Sequence, residues 1–542
     1  MTTPPNTSTG APKKEKPTDE TIKETFISLI LAFTFALVFR AYIIEPFIIP
    51  TGSMAPTLLG RHLRVTCKQC GYTFTVDATF DPKRIPVPGI VCPMCRFPNP
   101  IQGQTPRNGD RILVLKFPYA FADPDRWDVV VFKNPQQFND NGTPGPTNNY
   151  IKRLIGLPNE SIAMLDGNVY TQPLNPTTGQ PADKWRIARK SDNFKAQLAV
   201  FRNIYHSNYI PIDGGSGDGR SYKTDNGFTA NFTWQTPWVA DQPTNWLIDG
   251  QRSYSFAGNT PTNITFDFAR GGEHTNLAMY PYNQMRPQNP RTESIEDIRL
   301  AAVYQPQTPN GNITLSTTAR WDSTDPQTPP QILSAHIASD GTATLSRTNP
   351  ADPTDTTVLQ TGKINPLTEG SNTQLELWYV DQQLILWVNG VQTLTAQYEL
   401  SMNELRQRRG PDPVPTISIS STTGPFTLHD IQLDRDLYYA SRPANYIVAG
   451  GLARSNPLGP VDLGSPYTIG PDEFFCVGDN GPNSKDSRIW DTIDPWIDHN
   501  YFAGTRKYGV VPRELMFGKA FFVYFPAPFG IVPNFGDMRF IH

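Results

Sequence analysis

The chain has 542 residues, a formal net charge of −3, 53 prolines and a hydrophobic share of 38%. That length exceeds one typical domain and implies more than one core. The near-zero charge argues against a nucleic-acid binder, and the low hydrophobicity excludes a polytopic membrane protein while leaving room for one anchor.

Residues 1–24 open with Thr, Pro, Lys and Glu and hold nothing that would form a core, so they read as a disordered tail. The stretch 25–45 reads as a transmembrane helix: from Phe26 to Ile44 it is almost wholly apolar, broken by Arg40. A helix of that length spans roughly 28 Å, close to a bilayer core. Arg40 sits near one end, where a long side chain reaches the headgroups. Lys13, Lys14, Lys16 and Lys23 precede the span; the positive-inside rule therefore puts the N-terminus in the cytoplasm and the rest of the chain outside. The alternative is a cleaved export signal. No small-x-small site closes the run, which ends Tyr42-Ile43-Ile44-Glu45-Pro46, so a retained anchor in the lipid bilayer is expected.

Pro46 to Leu58 reads as an extended approach segment, ending in Pro50-Thr51-Gly52-Ser53-Met54-Ala55-Pro56-Thr57-Leu58. Residues 62–98 then carry Cys67-x-x-Cys70 and Cys92-x-x-Cys95, a zinc-ribbon-like pattern in which two thiolate pairs share one tetrahedral ion. Disulfides are the competing reading in an exported domain. The knuckle-like Cys70-Gly71 and Cys92-Pro93 favour a structural zinc, and four cysteines would leave no open position for catalysis. Residues 111–117, 127–133 and 150–157 read as buried strands. Asp166-Gly167 marks a hairpin turn. In Tyr150-Ile151-Lys152-Arg153-Leu154-Ile155, strand alternation sends Lys152 and Leu154 to one face and Arg153 to the other.

From 195 to 440 the composition shifts to Thr, Asn, Gln, Asp and Pro with short alternating strands. These include 374–380, 384–388, 416–420 and 426–433, with Asn389-Gly390 as a hairpin signal. Many strands without helices predict an antiparallel sandwich. Trp378 and Trp387 would stack on sugars if exposed, although tryptophans on a sandwich strand usually belong to the core. Beyond 441 the earlier character resumes, with Glu473-Phe474-Phe475-Cys476-Val477 as an apolar strand. Gly478-Asp479-Asn480-Gly481-Pro482-Asn483-Ser484-Lys485-Asp486-Ser487-Arg488 follows it. Cys476 reads as a plain core residue.

A serine hydroxyl needs a base to become a nucleophile, and lysine serves only when neutral. Its ordinary pKa of ~10.4 must then fall by several units, which burial among apolar side chains achieves. Ser53 on a small-residue loop and Lys152 on an apolar strand are of the types that pair needs, while taken alone they read as an ordinary turn serine and a solvated strand lysine.

Together these motifs resemble bacterial type I signal peptidase, over about 25–170 and 441–542. The resemblance implies a mainly β fold with a single N-terminal transmembrane helix. Its antiparallel catalytic domain would be split into 46–194 and 441–542. It implies a membrane-bound serine endopeptidase of the plasma membrane that cuts signal peptides from membrane-tethered preproteins, with no cofactor for the chemistry. Ser53 would attack and Lys152 would act as base. Thr51 would complete an oxyanion hole with the Ser53 N–H, Ser484 would orient the lysine, and Asp486 and Arg488 would form a supporting ion pair. Phe47, Ile49 and Tyr150 would meet the substrate strand. Gly481 stands where the family usually has arginine. More loosely, 195–440 resembles a concanavalin-like (LamG-type) jelly roll, which implies a glycan or envelope-protein ligand. As an insertion it is expected to fold by itself. The rival reading is a surface binding protein on a degenerate peptidase scaffold; retention of Ser53, Lys152 and Ser484 together argues against it.

Overall fold

The computed structural model describes residues 19–78, 89–101, 103–138, 142, 144–190, 194–211, 220–223, 229–232, 234–248, 252–270, 281–285, 295–323, 328–407, 414–441, 461–462, 464–528, 532 and 534–542. The expected tail through residue 18, with Lys13, Lys14 and Lys16, lies outside them.

The N-terminal helix runs Asp19–Tyr42, and its segment Ile22–Tyr42 has a mean hydropathy of 1.9 with none of it buried. Among the described residues it is the only helix long and apolar enough to cross a bilayer. It starts earlier than the expected residue 25 and stops short of 45. Pro46 disfavours helix at Glu45, and the chain passes at once into a strand, Ile44–Ile48. The approach segment is thus partly sheet, paired with Arg111–Leu115.

That pair begins an antiparallel sheet in which the two halves of the chain interleave. Its order is Ile44–Ile48, Arg111–Leu115, Met516–Phe525, Val129–Lys133, Asn149–Gly156, Glu473–Val477 and Val511–Pro512, with Arg539–Phe540 on Met516–Phe525. A strand from beyond residue 510 lies between two from before residue 140, so neither half closes the sheet alone. The face carrying Ile49, Met54, Ile112, Val129 and Val523 forms one core; Phe132, Leu154, Phe474, Cys476 and Trp490 belong to another. A second sheet joins Glu160–Leu165, Asn168–Pro173, Arg186–Ile187 and Tyr467–Ile469. Its hairpin turns at Asp166-Gly167, both at positive φ (49° and 84°), as a type I′ turn requires.

The intervening residues form two antiparallel sheets packed face to face. One contains Phe426–Arg435, Ile298–Pro306, Thr373–Val380 and Gln383–Val388; the other contains Ile417–Ser421, Ile313–Ala319, Gln331–Ile337 and Thr342–Asn349. Leu300, Leu377, Leu386 and Leu428 share one core with Ile264, Leu315, Leu333 and Ile419. Asn389-Gly390 makes the expected turn at φ 50° and 77°. Trp378 and Trp387 lie on the other side of their sheet, yet they are only 1% and 9% exposed. Phe194 stacks on Trp378 at 5.8 Å and Phe201 meets it edge-on at 5.1 Å, so these rings are closed to a sugar.

The same sheet is joined to the N-terminal part of the chain by a buried charge cluster. Lys190 Nζ lies 2.5 Å from Asp381 and 3.0 Å from Asp436, and Asp297 accepts the Asp381 backbone N–H at 3.0 Å. Burial, reinforced by Asp381 and Asp436, pushes the Asp297 carboxyl well above its ordinary range. The folded chain thus keeps a proton there that the unfolded chain sheds, and this contribution to stability fades as pH rises past ordinary carboxylate titration. Unfolding of the solubilised protein from about pH 4 to 8 tests both halves of the cluster. Lys190→Met is expected to cost about 3–5 kcal/mol by stranding buried carboxylates. Asp297→Asn is expected to flatten the decline of stability with pH; an unchanged slope would show that Asp297 is ionised in the fold.

Candidate active site

The strand Asn149–Gly156 delivers Lys152 and Arg153 to opposite faces, as alternation requires, and both are buried, at 4% and 0% exposure. Lys152 Nζ lies 2.7 Å from Ser53 Oγ and 5.5 Å from the centre of the Tyr150 ring. Cys476 stands near this lysine; burial pushes its thiol well above the ordinary range, with Lys152 the opposing influence. It is a neutral core residue, as expected.

Ser53 sits in a single 3-10 turn, Gly52–Met54, with Thr51 as its exposed N-cap making no side-chain capping bond. Thr51 therefore stands two residues before Ser53 with its hydroxyl uncommitted to the turn. The turn is held from behind by the loop after Glu473–Val477. The Asn480 backbone N–H donates to the Ser53 carbonyl at 3.0 Å, and its side-chain amide donates to the Gly52 carbonyl at 2.9 Å. A Cβ on Gly478 would fall 2.2 Å from Ser484 Oγ and 2.4 Å from the Ser53 carbonyl oxygen, so only glycine lets the loop close on the turn. Ser484 itself is 2% exposed, and its hydroxyl has no hydrogen-bond partner among the described residues. The contact to Lys152 that the resemblance implies is not formed in this arrangement, because the hydroxyl packs against Gly478.

Asp486 and Arg488 do form a two-pronged ion pair, at 2.8 and 2.7 Å, both fully buried. Asp486 also accepts the Gly478 N–H at 3.0 Å and Arg488 donates to the Gly481 carbonyl at 3.1 Å, so the pair sets the ends of the loop that grips Ser53. At Gly481, a Cβ would stand 3.1 Å from the Tyr438 carbonyl oxygen, a tight contact that a shift of a few tenths of an ångström relieves. Nearby, Arg202 lies 3.8 Å from Asp479.

A second buried pair was not read from the sequence. Arg153 binds Asp479 through two bonds of 2.8 and 2.7 Å and donates to the Trp127 carbonyl at 2.7 Å. Thr57 donates to the same carboxylate at 2.5 Å. Burial by itself would raise Asp479, but Arg153, with Arg202 and Thr57, holds its carboxyl below the ordinary range. The missed signal was Arg153 itself: a charge in an apolar run with no polar face to reach needs a partner.

The expected substrate contacts separate. Phe47 is half-buried against Phe517 at 5.4 Å, and Tyr150 is half-buried beside Phe132 at 6.5 Å. Ile49 is a correction: at 2% exposure it belongs to the core with Met54 and Leu58, since the register that half-buries Phe47 turns Ile49 inward. The exposed residues of this strand are Pro46 and Ile48, the latter at 59%.

The four cysteines are free thiols, not disulfides. Their Sγ atoms all lie within 4.8 Å of one another, with Cys67 to Cys95 at 3.5 Å and Cys70 to Cys92 at 3.7 Å. The two knuckles repeat one geometry. Gly71 and Arg96, each following the second cysteine, have φ of 77° and 66°, and each donates its N–H to the first cysteine's carbonyl at 3.0 Å.

The family model described as signal peptidase, peptidase S26, matches residues 97–214 and 439–525. These segments hold Lys152, Asp479, Ser484, Asp486 and Arg488 but begin after Ser53 and the cysteines. The chain is 30% identical over 154 residues to signal peptidase I of Rickettsia typhi, and 32% to that of Rickettsia prowazekii. Each match covers 28% of this chain and 44% of the relative. Signal peptidase I of Rickettsia canadensis is 27% identical over 210 residues, covering 38% of this chain and 65% of the relative. The chain thus spans less than half the length of the first relatives it matches. Among solved structures it is similar to a carbohydrate binding module from Bacillus subtilis, at 8% identity and a TM-score of 0.23, covering 37% of this chain and 96% of that one. It is also similar to Bacillus licheniformis beta-glucanase, at 12% and 0.23, covering 40% and 92%. Likenesses this slight carry no argument about a ligand. The two matched segments are thus similar to the signal peptidase, peptidase S26, family, and in this chain a large β insertion lies between them.

Proposed function

We propose that the chain is a membrane-anchored serine endopeptidase that removes signal peptides from exported preproteins with a Ser53–Lys152 dyad. One observation carries this reading: a buried lysine amine lies 2.7 Å from the hydroxyl of a serine on a small-residue turn. Neutral Lys152 takes the Ser53 proton as Oγ attacks the scissile carbonyl. The developing oxyanion meets the Ser53 N–H and the Thr51 hydroxyl, donors of a kind worth roughly 3–4 kcal/mol of barrier in serine hydrolases. Lys152 then protonates the leaving amine, and water, deprotonated by the same lysine, releases the acyl group from Ser53. The resemblance would give Ser484 the role of orienting that amine, which requires its hydroxyl to turn from Gly478 toward Lys152.

The membrane reading rests on the apolar helix and on the way it joins the sheet. Helix and sheet are separated by one residue, Ile43, whose carbonyl accepts the Lys116 N–H at 2.9 Å. Phe117 and Phe121 next to that bond are 45% and 88% exposed, which suits a sheet edge resting at the bilayer surface. The catalytic part would then face the outer side, with Lys23 on the cytoplasmic side. Substrates would be preproteins tethered in the same membrane, with small side chains near the cut.

We also assign the four cysteines to one structural zinc. A regular tetrahedron with Zn–S bonds of ~2.3 Å has edges of about 3.8 Å, close to the observed 3.5 and 3.7 Å. A disulfide would need S–S near 2.0 Å. The Gln69 N–H on Cys67 Sγ at 3.4 Å supplies the outer hydrogen bond that thiolate ligands favour.

Purified full-length protein in detergent is expected to cut a simple preprotein after a small-x-small sequence. Ser53→Ala and Lys152→Ala should each remove nearly all turnover, and Lys152→Arg should not restore it because guanidinium keeps its proton. The rate should rise with pH as Lys152 becomes neutral. Normal turnover by either alanine variant would sink the dyad.

Metal analysis is expected to find about one zinc per chain, lost in Cys67→Ser or Cys92→Ser along with several degrees of Tm. Cleavage should weaken rather than vanish. Peptide mapping that found these cysteines in disulfides would overturn the assignment.

A further inference from the structure

We infer that Asn283, carried by the inserted region, is a positioning residue for the nucleophile turn: it fixes the orientation of the Asn480 amide that holds Gly52. The inference rests on the peptidase reading of Ser53.

Asn480 grips the turn at two carbonyls, through its backbone N–H on Ser53 and its side-chain Nδ2 on Gly52. A primary amide offers two N–H donors and one carbonyl. The second proton of Asn480 Nδ2 goes to Asn283 Oδ1 at 3.0 Å, and Asn480 Oδ1 accepts from Asn283 Nδ2 at 2.8 Å. This reciprocal pair has a sense. Rotating the Asn480 amide by half a turn would set its oxygen against the Gly52 carbonyl, acceptor facing acceptor, and would break both bonds to Asn283. The two asparagines are 0% and 1% exposed, so bulk water cannot stand in for either. Without Asn283, the amide keeps a single directing contact, and the turn is held at one carbonyl rather than two whenever the amide flips.

The segment that brings Asn283 is itself fixed on both sides. Tyr282 packs behind Gly52, where a Cβ would fall 2.4 Å from its ring. Gln284 exchanges two bonds of 2.9 Å with the backbone of Val91 beside the cysteine knuckle. Three parts of the chain that are far apart in sequence thereby converge on the carbonyls that flank the nucleophile. The inserted region is part of what aims Ser53, which a Gly/Ser linker could not replace.

The test uses full-length protein and a preprotein that the wild type cuts. Asn283→Leu should lower kcat by roughly 10- to 100-fold with KM within about twofold, since a misplaced nucleophile slows the chemical step. Asn283→Asp gives a readout that space-filling would not. Its carboxylate has no donor for Asn480 Oδ1, but its protonated carboxyl has both donor and acceptor and imitates the amide. The kcat ratio of Asn283→Asp to wild type should therefore rise about tenfold or more as pH falls through the buried carboxyl's titration. The Tm deficit of Asn283→Asp should shrink over the same range, because its folded form binds the extra proton. A folded Asn283→Leu with wild-type kcat, or a pH-independent ratio for Asn283→Asp, would overturn the inference. Should Asn283→Leu not fold, the Asn283→Asp profile decides. If the wild type cuts nothing, the peptidase reading is what fails, and the pH dependence of the Tm deficit still judges the amide pair.

Discussion

The buried bond pair between Arg153 and Asp479 is the contact on which the site is assembled. Arg153 adjoins Lys152 on one strand, and Asp479 adjoins Gly478 and Asn480 on the loop that grips Ser53. Thr57 brings the Ser53 segment to the same carboxylate, and Arg202 brings the start of the inserted region. Two buried charges are costly to desolvate, so such a pair contributes little net stability. Its value lies in geometry. A carboxylate with this many donors aimed at it has one low-energy position, and the lysine strand and the serine turn are both measured from that position.

The interleaved sheet explains how so large an insertion is accommodated. The strand Met516–Phe525 lies between Arg111–Leu115 and Val129–Lys133, and Glu473–Val477 lies beside the lysine strand. The second half of the chain must return for the first half to fold, whatever intervenes. The insertion uses this freedom without becoming a separate body. Lys190 is buried between sandwich carboxylates, Phe194 and Phe201 cover two sandwich tryptophans, and Tyr282 and Asn283 reach the nucleophile turn. The cost is a buried acidic cluster whose charge depends on Lys190 to offset it.

The departure at Gly481 fits the same picture. The chain re-entering from the insertion passes through Tyr438, whose carbonyl oxygen would stand 3.1 Å from a Cβ at 481. Arg202, on the chain entering the insertion, lies 3.8 Å from Asp479. Entry and exit of the insertion thus meet at one corner of the site, beside the pairs Arg153–Asp479 and Arg488–Asp486.

The sequence by itself determined what depends on near neighbours. Apolar length marked the helix, period-two alternation put Lys152 and Arg153 on opposite faces, Asn389-Gly390 and Asp166-Gly167 marked hairpins, and two Cys-x-x-Cys knuckles marked a four-thiol cluster. Chemistry and family resemblance singled out Ser53 and Lys152 although they are 99 residues apart. Only the tertiary structure decided who partners whom at longer range. Arg153 meets Asp479 across 326 residues and Asn283 meets Asn480 across 197. Neither pairing leaves a periodic trace, because a buried polar group specifies that it needs a partner without specifying which one. Burial followed the same rule. Alternation assigns a residue to a face, but whether that face meets core, solvent or another segment depends on what packs against it. That is why Ile49 proved to be core, and why Trp378 and Trp387 proved to lie under Phe194 and Phe201.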